Sequence, residues 1–149
     1  MKTLFYGYGN PGRQDDGLGI FFINELTRYI KKNKLKNIYF DLNYQLNIED
    51  ALEISRYNLV IFVDASKKIR KNFNFRKIKP LEINFYTTHK MLPENILFLC
   101  CKLYNKKPDV YLLTIKGYKW GVNEKPTKKA LVNLKDALIY IKKVIKNII

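Results

Sequence analysis

Apolar positions follow two periods along this chain, one typical of strands and one of helices. Nearly continuous apolar runs predict buried strands at residues 2–8, 37–42, 59–63 and 110–115. Apolar residues spaced three or four apart predict helices at residues 18–32, 47–55, 93–105 and 126–148. A weaker alternation over residues 72–78 predicts a short edge strand.

Strands that alternate with helices predict an α/β fold, because each helix can carry the chain back to start the next parallel strand. We therefore expect one domain over residues 1–149, a three-layer α/β/α sandwich on a mostly parallel sheet. The last predicted helix has lysines opposite its apolar stripe. We interpret it as a sheet-covering helix with a solvated face rather than a helix that lies on an acidic membrane.

The composition limits the classes of partner and compartment. The 28 basic residues against 13 acidic ones give a net charge of +15. Because the lysines are spread over the whole length and no nucleic-acid motif accompanies them, we interpret the charge as compositional bias, although an acidic protein partner fits it equally well.

The 2 cysteines, Cys100 and Cys101, are adjacent in a predicted helix, which argues against an intrachain disulfide or a zinc ribbon. With no apolar stretch of membrane-spanning length and no signal peptide, we expect a cytoplasmic protein.

Five of the 7 glycines lie between residues 7 and 19, where the first strand meets the first helix. Glycine is needed where the backbone takes a positive φ or another group approaches closely. Gly7, Gly9 and Gly12 also satisfy the dinucleotide pattern G-x-G-x-x-G. We discount that pattern, because the Asp15–Asp16 pair would repel a pyrophosphate at the helix start.

Three polar residues, of which His89 lies just ahead of the helix at 93–105, fall at one edge of the predicted sheet. Asp16 comes after the first strand, Asp64 closes the apolar run at 59–63, and His89 is the chain's single histidine. Sites in open α/β sheets form beyond the carboxyl ends of the strands. Two carboxylates and one imidazole suit a borderline divalent ion such as nickel, zinc or manganese, with positions left open for water or substrate.

Each of these residues also has a purely structural interpretation. Asp16 can cap the helix that follows it, and Asp64 can be an ordinary turn residue at a strand end. A lone histidine in a loop is often structural. Only the convergence of all three residues on one edge favours a metal or ligand site.

The motifs together resemble the nickel–iron hydrogenase maturation proteases along nearly the whole chain. The matching segments are Gly7-Tyr-Gly-Asn10 with Asp15-Asp16-Gly17, Val63-Asp64-Ala65, Thr87-Thr-His89, Gly117-Tyr-Lys-Trp120 and, for one branch of the family, residues 44–51. One departure is Glu124-Lys-Pro-Thr127, which lacks the usual Gly-Leu before the last helix.

The resemblance implies a function and a site. It implies an endopeptidase that removes the C-terminal peptide of the hydrogenase large-subunit precursor after nickel insertion, on a twisted, roughly five-stranded sheet. Asp16, Asp64 and His89 would be both the catalytic and the metal-contacting residues, with the nickel supplied by the precursor. The resemblance further implies a monomer, and the composition leads us to expect neither nucleic acid nor membrane as partner.

Two mechanisms and several functions stay open at this point. Either Asp16 activates water as a general base, or the metal polarises the scissile carbonyl or lowers the pKa of the water. A module that binds the nickel site without cutting is the first alternative function. A basic nucleic-acid-binding protein and a nucleotide-binding module are the others.

Overall fold

Five strands and four helices make up the part of the chain that the computed structural model describes, residues 1–84 and 90–148, and they alternate except where one strand follows another directly at residues 59–77. The strands are β1 (Thr3–Tyr8), β2 (Ile38–Asn43), β3 (Leu59–Ser66), β4 (Phe73–Lys77) and β5 (Asp109–Lys116). The helices are α1 (Leu18–Lys32), α2 (Asp50–Ile54), α3 (Pro93–Tyr104) and α4 (Lys128–Ile148). A 3₁₀ turn, Gln14–Gly17, precedes α1. Every element that the periodicity predicts is therefore present, with bounds shifted by a few residues.

The sheet has the strand order β2-β1-β3-β5-β4. The pairs β1–β2, β1–β3 and β3–β5 are parallel, whereas β4 runs antiparallel to β5 at the edge. The predicted mostly parallel, five-stranded sheet is confirmed. The edge position of β4 also accounts for its weak alternation, because one of its sides meets no other strand of the sheet.

Two cores, one on each face of the sheet, confirm the three-layer arrangement. Alternate strand residues point to opposite faces, so that Phe5 and Ile61 pack under α1 and α4 while Leu4 and Val60 pack under α2 and α3. The lysine-rich α4 buries its apolar stripe in the first core. This packing confirms the interpretation of α4 as a sheet-covering helix.

Two element bounds differ from the predictions for identifiable reasons. β3 continues past residue 63 because Asp64, Ala65 and Ser66 keep pairing with β5. Asp64 therefore lies inside the strand rather than at its end. α2 begins only at Asp50, since the preceding residues form a turn in which the Asp50 carboxylate accepts the Asn47 N–H at 2.7 Å.

Two predictions made from the sequence, on the cysteines and on membrane-spanning helices, concern the described helices. Cys100 is buried in the core beneath α3, where burial raises its thiol pKa to about 11, and both cysteines are free thiols. Among the described residues, none of the helices combines the length and the apolarity that crossing a lipid bilayer requires.

Candidate functional site

The candidate site lies where the chain leaves β1 in the middle of the sheet. From β1 the chain passes through α1 to β2 on one side, and it later returns as β3 on the other side. Such a reversal of strand order opens a crevice at the carboxyl ends of the two central strands. Asp16 lies in the loop after β1 and Asp64 lies near the end of β3, so both predicted carboxylates reach this crevice.

Glycines bring α1 close to the ends of β1 and β3. A Cβ atom at Gly19 would lie 2.5 Å from the carbonyl oxygen of Val63 and 2.8 Å from that of Tyr8. A Cβ at Gly7 would lie 2.5 Å from the carbonyl oxygen of Gly19. Gly9 takes a φ of +136°, which L side chains rarely adopt. Helix-to-strand packing thus accounts for this glycine cluster without any bound phosphate.

Asp16 is free of the capping role that its position suggests. α1 begins at Leu18 with Gly17 at its N-cap, and that helix start receives no side-chain cap. Instead, Asp16 Oδ2 accepts the backbone N–H of Asn10 at 3.1 Å, which steadies the carboxylate across the loop. The helix-capping interpretation of Asp16 is therefore wrong.

Asp64 is a carboxylate whose charge is disfavoured by its surroundings. Burial raises its pKa to about 7, and the nearby negative charge of Asp16 acts in the same direction. The Ala65 N–H, which donates to Oδ1 at 2.8 Å, the Tyr8 hydroxyl and the positive charge of Lys90 oppose the rise. The influence of Asp16 on the pKa of Asp64 indicates that the two carboxylates lie close to each other at the crevice.

Tyr8 and Lys90 are site residues that the sequence patterns did not indicate. The Tyr8 hydroxyl donates to the Asp64 carboxylate, and its own pKa is raised by burial and by that negative charge. Gly7 pairs with Val63 in the parallel register, which sets Tyr8 beside Asp64. The only signal that identifies Tyr8 is thus the strand register, which periodicity does not provide.

Asp15, next to Asp16 in sequence, has a different environment. Its side chain is completely buried and accepts four hydrogen bonds. The donors are the Tyr118 N–H at 2.8 Å, the Lys119 N–H at 3.2 Å, the Thr127 N–H at 2.8 Å and the Thr127 hydroxyl at 2.8 Å. The acidic pair therefore divides into one carboxylate at the crevice and one inside the protein.

The segment between β5 and α4, residues 117–127, packs against the loop that carries Asp16. Gly117 is needed there, since a Cβ would lie 2.8 Å from the Trp120 ring and 2.9 Å from Asp15 Cβ. The Asn123 N–H donates to the Gly12 carbonyl at 2.8 Å, which joins the two loops a second time. The Gly117-Tyr-Lys-Trp120 motif thus has a structural explanation as the lining of the Asp15 carboxylate.

His89, the third predicted ligand, lies outside the described residues. Lys90, which follows it, affects Asp64 electrostatically, so the chain re-enters the described structure near the site. Within residues 1–84 and 90–148, no three His, Cys, Asp or Glu side chains cluster in a way that would hold a metal ion. A metal site at this crevice would therefore need a donor besides Asp16 and Asp64 and outside the described residues.

A small apolar groove of about 210 Å³ adjoins the Asp16 loop. Its lining residues are Gly9, Pro11, Ile20, Leu42, Asn43 and Tyr44. Two of its apolar side chains, Leu42 and Tyr44, are exposed to solvent. Its volume is enough for one apolar side chain beside the loop that carries Asp16.

The chain resembles known proteins in its fold. No family model and no curated protein matches it. The solved structure of the [NiFe] hydrogenase maturation protease HycI from Thermococcus kodakarensis gives a TM-score of 0.74 at 19% identity, over 97% of this chain and 92% of that one. The hydrogenase maturating endopeptidase HybD from E. coli gives 0.71 at 14% identity, over 99% and 93%. The chain has the fold of these maturation proteases.

The likeness to the maturation proteases extends over complete chains. The hydrogenase 2 maturation peptidase from a Thaumarchaeota archaeon gives a TM-score of 0.69 at 15% identity, over 98% of this chain and 99% of that one. The chain therefore shares the fold of these maturation proteases over nearly its whole length.

Proposed function

We propose that this protein is an endopeptidase that removes the C-terminal peptide of a nickel–iron hydrogenase large-subunit precursor once nickel is installed. One observation carries the proposal: two interacting carboxylates, Asp16 and Asp64, occupy the central crevice of a fold shared along its full length with maturation proteases. Fold alone is compatible with many activities. The proposal therefore depends on the carboxylate pair in addition to the fold.

The side chains suit recognition of a nickel ion that belongs to the substrate. Asp16 and Asp64 supply oxygen donors, and His89 would supply a nitrogen donor, a set that matches a borderline divalent ion. Burial, and to a smaller extent the negative charge of Asp16, raises the pKa of Asp64, and a cation bound at the crevice would offset both unfavourable effects on the charged carboxylate. Docking would then depend on a loaded precursor, because an unloaded one offers no cation to these three side chains.

The groove beside Asp16 supports a role in positioning a peptide. An extended chain that enters the crevice can place one apolar side chain between Pro11 and Leu42, within reach of the Asp16 loop. Held in this way, the scissile bond would face the carboxylates, which lowers the entropic cost of the reaction. General-base action by Asp16 and polarisation of the carbonyl by the substrate's nickel both fit this arrangement.

The decisive experiment is intact mass spectrometry of the precursor after incubation with the protein, with and without nickel loading. We expect loss of a C-terminal peptide only from the loaded precursor. Asp16→Ala and His89→Ala should each abolish the mass change. Asp109→Asn is the matched control, because Asp109 is an exposed carboxylate at the start of β5, whereas the crevice lies at the carboxyl ends of the strands.

The outcomes separate the proposal from its alternatives. Normal cleavage by both Asp16→Ala and His89→Ala would eliminate the proposed triad. An unchanged mass with tight binding of the loaded precursor would indicate a non-cleaving nickel-site module. Binding to nucleic acid that weakens steeply with salt and ignores His89→Ala would indicate a basic nucleic-acid-binding protein instead.

A further inference from the structure

We infer that Asp15 is a positioning residue, which aims the Asp16 carboxylate into the crevice by fastening its loop to residues 117–127. The inference rests on the proposed function for its catalytic consequence, and on the hydrogen bonds of the described structure for its geometry. It assigns a role to the member of the acidic pair that the sequence patterns left without one.

Asp15 and Asp16 belong to the same 3₁₀ turn, Gln14–Gly17. Successive residues of such a turn point about 120° apart, because the turn has about 3.0 residues per revolution. The side chain of Asp15 points into the protein, whereas that of Asp16 is only half-buried and turns toward Asn10. Fastening Asp15 therefore sets the direction in which the Cα–Cβ bond of Asp16 leaves the turn, and the Asn10 N–H then holds the Asp16 carboxylate.

The attachment of Asp15 is unusually complete. Its carboxylate accepts four hydrogen bonds from Tyr118, Lys119 and Thr127, and its own N–H donates to the Lys119 carbonyl at 3.1 Å. The Gly121 N–H adds a bond to Gln14 Oε1 at 3.0 Å. The turn that carries Asp16 is thus held from outside by a segment more than 100 residues later in the chain.

The same carboxylate is connected to the start of α4. The Thr127 hydroxyl donates to Asp15 Oδ2 and accepts the Ala130 N–H at 3.2 Å. An Asp15 carboxylate is satisfied by donors alone, so an amide at this position would turn an N–H₂ group toward at least one of them. Asp15→Asn should therefore loosen the attachment while changing the side-chain volume very little.

The hydrogen bond between the Asn10 N–H and Asp16 makes the position of the Asp16 carboxylate measurable by NMR. The Asn10 N–H donates to Asp16 Oδ2, so its amide proton reports by NMR whether that carboxylate stays in place. In Asp15→Asn we expect the Asn10 amide signal to move toward its position in Asp16→Ala and to exchange faster with solvent. Thr127→Val should give a smaller shift in the same direction, and Thr127→Ser, which keeps the hydroxyl, should restore the wild-type signal.

Cleavage kinetics on the nickel-loaded precursor test the consequence of the altered position. We expect Asp15→Asn to lower kcat by roughly 10- to 100-fold, the scale of a small misplacement of a reacting group, with KM little changed because the docking surface is intact. Rates are expressed per folded molecule, measured well below the melting temperature of each variant.

Each result has a defined meaning. An unmoved Asn10 amide in folded Asp15→Asn and Thr127→Val would overturn the inference, as would an unchanged kcat per folded molecule. If Asp15→Asn fails to fold, the Thr127→Val and Thr127→Ser pair decides by the same two measurements. A wild-type protein that leaves every precursor intact would contradict the proposed function, and the Asn10 amide would still decide the role of Asp15.

Discussion

At the scale of single residues, chemical identity is less informative than environment. Asp15, Asp16 and Asp64 carry the same carboxylate. Asp15 is surrounded by hydrogen-bond donors, Asp16 accepts the Asn10 N–H at the crevice, and Asp64 is desolvated beside another negative charge. Three uses of one side chain therefore arise from its neighbours, which belong to distant parts of the chain.

The raised pKa of Asp64 predicts a pH-dependent cost to stability. Because the folded pKa of about 7 exceeds the ordinary aspartate value of 3.8, the native state binds more protons than the unfolded state between these values, and stability should fall as pH rises through that window. At about 1.36 kcal/mol per pKa unit the cost is at most on the order of 4 kcal/mol. Asp64→Asn should therefore be more stable than wild type at pH 8 and nearly equal to it at pH 4.

Urea unfolding in metal-free buffer at both pH values measures this difference. Asp41→Asn serves as the comparison, because Asp41 is a more exposed carboxylate on the neighbouring edge strand β2, and it should show a much smaller gain at pH 8. A wild-type protein as stable as Asp64→Asn at pH 8 would contradict the raised pKa.

At the scale of elements, contact between α1 and the sheet depends on backbone groups that cannot move aside. Gly19→Ala would force a methyl group onto the carbonyl oxygens of Val63 and Tyr8. We expect a loss of about 1–3 kcal/mol in the free energy of unfolding, typical of overpacking in a rigid setting. Gly12→Ala is the control, since a Cβ there would meet only the Asn10 side chain, at 3.2 Å.

Chemical denaturation of both variants tests this packing. Equal stabilities for Gly19→Ala and Gly12→Ala would mean that α1 shifts freely over the strands. The larger expected loss at Gly19 would tie the glycine cluster to helix packing rather than to ligand contact. Because the Asp16 loop lies between β1 and α1, a shift of the helix would also move Asp16.

At the scale of the whole molecule, few of the basic side chains that the structure describes take part in ion pairs. Among the described residues, four ion pairs are present, and all of them are at the surface: Arg28–Glu25, Arg56–Glu53, Arg76–Glu94 and Lys77–Asp109. Exposed pairs of this kind contribute about 0–1 kcal/mol each. A net charge of +15 instead repels itself in the folded state.

Screening should therefore stabilise the protein. Raising NaCl from about 20 to 200 mM, which shortens the screening length, should increase the free energy of unfolding by about 1 kcal/mol, or the melting temperature by about 3 °C for a chain of this size. Differential scanning calorimetry at pH 7 measures the change. A melting temperature that falls with salt would mean that the surface ion pairs outweigh the repulsion.

The sequence determined the local part of this protein. Periodicity depends on neighbours within a few residues, so it predicted all nine elements, the three layers and the edge on which Asp16 and Asp64 lie. His89 stays a prediction, as do nickel and the precursor. The resemblance in the motifs led to the same fold that the solved structures share.

Only the tertiary structure decided which groups meet. Strand order and register set Tyr8 beside Asp64, and they extended β3 past its apolar run. Folding also brought residues 117–127 to Asp15, and so separated a buried anchor from the carboxylate at the crevice. These contacts join positions far apart in the chain. No local sequence pattern predicts them, because they form only when the strands assemble into the sheet and the loops at its edge pack together.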